Sequence, residues 1–583
     1  MLPFGNTKHT LITMEIKDKI EQFLNVAMSF LCSEDLMPTR NIIANYKSRL
    51  EKPMQVAIIG KIKASKSTLV NAILGSDNVV QTGGMELTYN VSWLKYSEFD
   101  KSAKVYFKDG RRERAISKDE WTVWANAYAE DDIKNNISYM EISFDNPMLK
   151  QINIIDTPGL LSGGIDAQNT IDFLSKEENK PDAIVVLFAG ALHEEIAKVI
   201  DSFQNSNEQN LSFTPLNTIG VLSKIDLEWK PFQSMEQPLD KAKQTCKRVL
   251  NDPNTNSLFY NIYPLNSLLS IASFSITEQD IELIKRLSNR SLGELEGSLM
   301  IINDFISDID SSELSFAPCR TYKKGMCYKD GCNTPCKVDF KQNIDFSRDI
   351  ECIRRYLYMK FDRFGIMLIS KFIADNPTAN VSDVKMYLRE QSGFNQFFRV
   401  LNNHFGQRAM LIKMQSAISN LLSELSKEST RLKQNEKNDT AIIIDQIQNS
   451  LIEELRKDTE FKLYEILVSL HDGKLTKLNR YLYEFCYTQE ELENDIKCLA
   501  GENGLAYAAR LGFSETVSVN KLLEEIELKI NKWQNISYEY HENAVESYYY
   551  DYAKIMYTAY YELGKQISLT AEKVEEYKKI MEL

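Results

Sequence analysis

The sequence predicts an α/β domain, a mostly parallel sheet flanked by helices, joined to an extended all-α half. Two observations predict it. Between residue 52 and about 280, short β-branched apolar runs (Val56-Ala57-Ile58-Ile59, Ile152 to Ile155, Ala183 to Phe188, Thr218 to Leu222) are each followed by a loop and a helical pattern. That texture belongs to parallel strands buried on both faces. Past about residue 280 the strand signals thin out, and apolar residues recur at steps of three and four.

Taken in order, Ile16, Ile20, Phe23, Leu24, Ala27, Phe30 and Leu31 predict an amphipathic helix of about four turns ahead of the sheet. Phe394, Phe397, Phe398, Leu401 and Phe405 line one face of a later helix that starts near Ser392-Gly393. Two arms follow, roughly 440–496 with Ile444, Ile447, Leu451 and Leu455 in register, and roughly 515–583 with Leu522, Ile526, Ile530 and Trp533 in register. As continuous helices they would each measure on the order of 80–100 Å, with Gly473 a point of interruption in the first. Cys498 to Phe513, with its three glycines, is expected to close them into a hairpin.

Composition narrows the classes. The 583 residues are 43% hydrophobic and 26% charged, the balance of a folded globular chain. A net charge of −13, from 69 basic against 82 acidic residues, argues against a general nucleic-acid binder, which needs a cationic face. No window reaches the ~18 uncharged apolar residues of a spanning helix. The N-terminal residues lack the pattern of a secretory signal, so a cytosolic address is expected, peripheral at a membrane if the chain meets one. Nine cysteines, five of them scattered singly, fit a reducing compartment.

The chemistry lies at strand ends. Gly60-Lys61-Ile62-Lys63-Ala64-Ser65-Lys66-Ser67 follows the first strand and runs into the helical pattern Thr68 to Leu74. This is the setting of a phosphate-binding loop, in which backbone N–H groups and a helix N-terminus hold phosphate oxygens. Lys66 would reach the β/γ-phosphates and the Ser67 hydroxyl would ligate Mg²⁺. Ser65 stands where the consensus has glycine, and its Cβ is expected to crowd the cradle. Asp156-Thr157-Pro158-Gly159 follows the strand Ile152 to Ile155, placing Asp156 for Mg²⁺ and the Gly159 N–H for a γ-phosphate. Ser223-Lys224-Ile225-Asp226 matches the guanine motif [NT]KxD with serine at its first place. A carboxylate such as Asp226 accepts from both N1–H and the exocyclic amine of guanine, a donor pair that adenine lacks. In the loop 81–88, Thr88 rather than Thr82 is the expected cap on Mg²⁺. Asn266, after Ile262 to Leu265, lies where a contact to the base is expected.

These motifs, with SGFNQFFRVLNNHFGQRA inside long helices, resemble those of the bacterial dynamin-like GTPases, the LeoA type among them. The resemblance implies an α/β P-loop GTPase domain on all-α neck and trunk bundles, with GTP/GDP and Mg²⁺ as ligands. It implies that residues 1–52 join the neck, that 53–405 form the GTPase domain with an elaboration at about 285–390, and that 406–583 form neck and trunk. It places a membrane-facing tip at about 498–513 and implies self-association or a partner dynamin-like subunit. Lys63 matches a basic residue of many bacterial members and would stabilise charge in the transition state. The implied function is GTP hydrolysis coupled to bundle movement for membrane remodelling; the alternative is a weakly hydrolysing, GTP-dependent scaffold that binds proteins through its arms.

Three further signals stand outside that scheme. Cys319, Cys327, Cys332 and Cys336 fall at a spacing unlike paired zinc-knuckle cysteines, which leaves a zinc site and simple reduced thiols both open. The five histidines show no metal or triad spacing. The tyrosines between 538 and 561 read as helix packing.

Overall fold

The computed structural model describes residues 7–61, 64–75, 90–98, 103–117, 120, 121, 124, 136–158, 181–190, 192, 197, 200, 215–229, 238–252, 255, 258–287, 292–300, 322, 323, 326, 327, 350–455, 457–471, 488–541 and 547–581. Two helices, α1 (Thr7–Phe30) and α2 (Met37–Glu51), precede β1 (Met54–Gly60) and α3 (Lys66–Leu74). Then come β2 (Ser92–Tyr96), β3 (Ala103–Phe107), β4 (Arg114–Ile116), β5 (Ile137–Phe144), β6 (Ile152–Asp156), β7 (Ala183–Phe188) and β8 (Thr218–Ser223). The domain continues with α4 (Pro238–Asn251), β9 (Asn261–Leu265), α5 (Ser267–Ser275), α6 (Glu278–Leu287) and α7 (Leu292–Met300). A two-residue pair, β10 (Tyr322–Lys323) and β11 (Met326–Cys327), is followed by α8 (Ile350–Asp375), α9 (Val381–Gln391) and α10 (Phe394–Val400).

Nine strands form one sheet in the order β4-β3-β5-β2-β6-β1-β7-β8-β9. From β6 to β9 every pairing is parallel. Strands β1, β6, β7 and β8 are buried at every residue, which is why they read as uninterrupted apolar runs rather than as alternation. On the other side, β2 runs antiparallel to β6, and β3, β4 and β5 widen the sheet. Helices α5 to α9 share a core of their own, around Leu269, Ile284, Leu299, Phe361 and Leu388. The stretch around 350–390 is thus packed directly on the helices that follow β9.

A π-helical turn, Leu401–Gln407, leads out of α10 into α11 (Ala409–Gln434) and α12 (Asn438–Leu455). These two helices pair with α1 and α2 around Leu24, Ile43, Leu421, Leu425, Ile444 and Leu451. A four-helix bundle results, built from segments that precede and follow the sheet domain in sequence. The remaining helices are α13 (Thr459–His471), α14 (Gln489–Leu499), α15 (Tyr507–Arg510), α16 (Val519–His541) and α17 (Ser547–Met581).

The arms differ from the sequence expectation. The first is not one rod, because α12 ends at Leu455 and the Asp458 carboxylate takes the Phe461 N–H at 2.9 Å to start a new helix, α13. The second folds on itself as α16 packs along α17. The turn expected at the outer end of the arms, 498–513, lies against the sheet domain instead. Leu499, Leu505 and Leu511 are buried, Leu499 and Leu511 in the core that also holds Tyr260 and Tyr263, and burial and then the charge of Glu502 raise the proton affinity of the Tyr260 hydroxyl ahead of β9. The Arg510 guanidinium donates both Nη1 and Nη2 to the Glu460 carboxylate at 2.7 Å. Burial of these leucines outweighs exposure at a tip. Among the described residues no helix is long and apolar enough to cross a membrane.

Candidate nucleotide site

The C-terminal ends of β6, β1, β7, β8 and β9 lie side by side, spanning about 19 Å at roughly 4.8 Å per strand. Ligands of open α/β sheets bind at that edge. Two clusters of side chains occupy it.

The first is built around the loop between β1 and α3. Gly60 closes β1 where a Cβ would meet the Leu187 carbonyl oxygen at 2.5 Å, so only glycine lets β1 and β7 approach this closely. Ala64 is buried, and its N–H donates to the Lys61 carbonyl at 3.2 Å. Ser65 stands at φ 67, ψ 29, the left-handed conformation that glycine adopts freely. The consensus glycine is therefore a backbone requirement, and Ser65 meets it at a cost. Lys66 curls back over the loop, its Nζ donating to the carbonyls of Gly60 at 3.2 Å and Lys61 at 3.1 Å. Ser67 and Thr68 follow in the first turn of α3, whose N-terminal N–H groups face the same edge.

The Ser67 hydroxyl donates to Asp156 Oδ2 at 3.2 Å, so the P-loop serine and the aspartate at the end of β6 meet directly. Asp156 is fully buried, and its Oδ1 has no hydrogen-bond partner. Burial pushes its carboxyl up to about 6, against the pull of Lys66 and the Ser67 hydrogen bond. An orphaned, buried carboxylate oxygen beside a hydroxyl is a donor set suited to a hard divalent cation such as Mg²⁺. The Thr157 hydroxyl donates to the Ile58 carbonyl at 2.7 Å and holds the two strand ends together.

The second cluster is at the ends of β8 and β9. The Ser223 hydroxyl donates to the Phe188 carbonyl at 3.1 Å, a use for serine at the first place of the guanine motif. Lys224 takes a left-handed conformation at φ 57 that turns the chain sharply into the 3₁₀ turn carrying Asp226. Asp226 Oδ1 accepts from the Asn266 amide at 3.2 Å. Asn266 in turn caps α5, its Oδ1 accepting from Leu269 N–H at 3.0 Å, and its own N–H donates to the Ser392 carbonyl at 2.9 Å. Burial, and next the nearby Asp362 carboxylate, push the Asp226 carboxyl up to about 6.

The fold thus gathers Gly60, Ala64, Ser65, Lys66, Ser67, Thr68 and Asp156 in one cluster and Lys224, Asp226 and Asn266 in the other. Lys63, Thr82, Thr88 and Gly159 lie outside the described residues, as do Cys319, Cys332 and Cys336. Sequence reasoning did not find Asp362 and Arg363, which act electrostatically on Asp226 from α8. They sit 136 and 137 positions after Asp226 by residue number, in a helical segment with no motif around it.

The Dynamin family profile matches residues 56–225. The isoniazid-induced protein IniC of Mycobacterium tuberculosis is 24% identical over 268 residues, 44% of this chain and 51% of IniC. The dynamin-like protein 2 of Campylobacter jejuni is 27% identical over 206 residues, 35% of this chain and 30% of that protein. The chain spans about half the length, or less, of these relatives. Among solved structures, one of an oligomerised bacterial dynamin pair, described as a mechanism for long-range sensing and tethering of membranes, aligns over 99% of this chain and 79% of its own, at 15% identity and a TM-score of 0.30. These relatives do not single out the LeoA type.

Proposed function

We propose that residues 56–225, which match the Dynamin family profile, form a dynamin-like GTPase domain, and that the chain binds GTP with Mg²⁺ and hydrolyses it to GDP and phosphate. The observation that carries the reading is the meeting of Ser67 with Asp156 beneath the Lys66 loop, with Asp156 Oδ1 left unpartnered.

Each residue has a task in that reading. Lys66, now satisfied by two loop carbonyls, would exchange them for phosphate oxygens and neutralise charge that grows in the transition state. Ser67 and Asp156 would hold Mg²⁺, directly and through water, with Thr88 as the expected third group. Bound there, the ion supplies charge neutralisation at the β- and γ-phosphates. Asp226 would accept from the guanine edge, and Asn266 would keep its carboxylate aimed. No side chain at the described site is placed as a general base, so positioning and electrostatics would activate the attacking water.

We extend the proposal to movement. The helical bundle is tied to the base of the sheet through α2 and α11, so hydrolysis would be coupled to bundle rearrangement, self-assembly or pairing with a second dynamin-like subunit, peripherally at a membrane. The strained Ser65 favours a second reading, a GTP-dependent scaffold of low turnover.

Mg²⁺-dependent GTP turnover, measured against protein concentration with and without anionic vesicles and with Lys66→Ala as blank, separates the two. Specific activity that climbs with concentration or lipid supports the assembling enzyme. A flat rate equal to the blank, with GDP binding retained, supports the scaffold. Turnover retained by Lys66→Ala would overturn the site assignment.

A further inference from the structure

Helix α8 is broken at Asp362, where φ is 55 and ψ 174. That backbone region is nearly confined to glycine, and a residue with a Cβ stays there only where its surroundings force it. The surroundings do so on both sides. Lys360 Nζ donates to Asp280 Oδ2 at 2.8 Å and to the Ser275 carbonyl at 3.0 Å, anchoring the helix before the break to α5 and α6. After the break, the Phe364 ring packs 6.0 Å from that of Trp229, three residues past Asp226.

The break brings a second carboxylate to the base cluster. Asp362 is half-buried, and after burial it is the largest influence raising the proton affinity of Asp226. One oxygen of each carboxylate is engaged: Asp362 Oδ1 takes the Arg363 N–H at 2.6 Å, and Asp226 Oδ1 takes the Asn266 amide at 3.2 Å. The Asp362 carboxylate disfavours the charge of Asp226, and a ligand edge made of donors relieves that. Guanine presents such an edge, with N1–H and two hydrogens on its exocyclic amine. Asp226 uses N1–H and one amine hydrogen.

We propose that Asp362 accepts the remaining amine hydrogen, so that the kink of α8 supplies a specificity-determining residue separating guanine from hypoxanthine nucleotides. This rests on the GTP-binding reading above. Inosine diphosphate, which lacks the amine, has nothing to give Asp362.

The test is calorimetric titration of the full chain with GDP and with inosine diphosphate, in wild type, Asp362→Gly, Asp362→Asn and Asp226→Asn. Glycine suits the backbone of the kink, so Asp362→Gly removes the carboxylate without asking the helix to refold. It is expected to weaken GDP binding about tenfold, the scale of one charge-assisted hydrogen bond, and to leave inosine diphosphate unchanged. Asp362→Asn keeps an accepting oxygen and is expected to retain part of the preference. A GDP-to-inosine-diphosphate ratio in Asp362→Gly and Asp362→Asn equal to that of wild type overturns the assignment. Should wild type bind neither diphosphate, the GTP reading falls and this inference with it; should Asp226→Asn lose GDP while both Asp362 variants match wild type, only the inference falls.

Discussion

Asp182, at the root of β7, accepts from the Arg49 guanidinium of α2 at 3.1 Å, across 133 positions of sequence. Its other oxygen takes the Gln55 N–H of β1 at 2.8 Å and lies 4.0 Å from Lys413 Nζ of α11. One buried carboxylate therefore joins the sheet to both halves of the four-helix bundle, at the edge opposite the nucleotide clusters.

Removing it should be costly. Asp182→Ala leaves Lys413, 4% exposed, without its carboxylate and frees Arg49. Loss of one partner of a buried pair costs on the order of 3–5 kcal/mol. A thermal melt of the variant should show a clearly lowered midpoint, and a midpoint equal to wild type would show that packing and the Lys413 hydrogen bonds to the Arg49 and Lys52 carbonyls hold the junction without the carboxylate.

Ser65→Gly should act the other way. At φ 67 the serine pays roughly 1–2 kcal/mol that glycine does not. The variant is expected to bind GDP more tightly, by severalfold, because the loop no longer resists the conformation that cradles phosphate. Equal affinity in the two proteins would mean that the free loop already holds the left-handed conformation, so that the cost falls on folding rather than on binding.

Binding should also depend on pH through Asp226. Its carboxyl stands at about 6 in the nucleotide-free fold, above its ordinary value of 3.8. A raised value means that the folded chain holds a proton that the unfolded chain has released. Its contribution to stability is therefore full below 3.8 and is lost as pH rises through 6. Guanine needs the ionised form, so GDP affinity should rise with pH through the same window and level off above it. Fluorescence titration of GDP between pH 5 and 8 checks this, with Asp226→Asn expected to be weak and flat.

Arg510→Ala should loosen the 498–513 segment. The guanidinium is 4% exposed and its partner Glu460, in the first turn of α13, is 16% exposed, so the variant removes two part-buried hydrogen bonds that tie the segment to α13. Faster proteolysis near Gly501 to Gly504 is the expected readout, at a temperature where wild type is resistant. Unchanged cleavage would show that burial of Leu505 and Leu511 suffices to hold the turn.

The nucleotide clusters were legible because their parts are local. Lys66 and Ser67 follow β1 within a few residues, Asp156 ends β6 and Asp226 follows β8, so each tetrapeptide carries both the side chain and the strand end that aims it. Ser65 departs from the consensus glycine in the sequence itself, yet the physical form of its cost, a left-handed backbone, appears only in three dimensions. The arms were harder. Periodicity at Ile444, Ile447, Leu451 and Leu455 identifies a helix and its buried face, but cannot say that the chain turns at Asp458 or that residues 498–513 fold inward.

By itself, then, the sequence determined the alternation of strand and helix, the all-α second half and the order of the nucleotide motifs, since these depend on hydrophobic period and on contacts within a few residues. Tertiary structure alone decided that Asp362 acts electrostatically on Asp226, that Asp182 binds two distant helices, and that Leu505 is covered. Those relationships join residues separated by tens to hundreds of positions, and they arise only when burial and charge pairing between whole elements choose one packing.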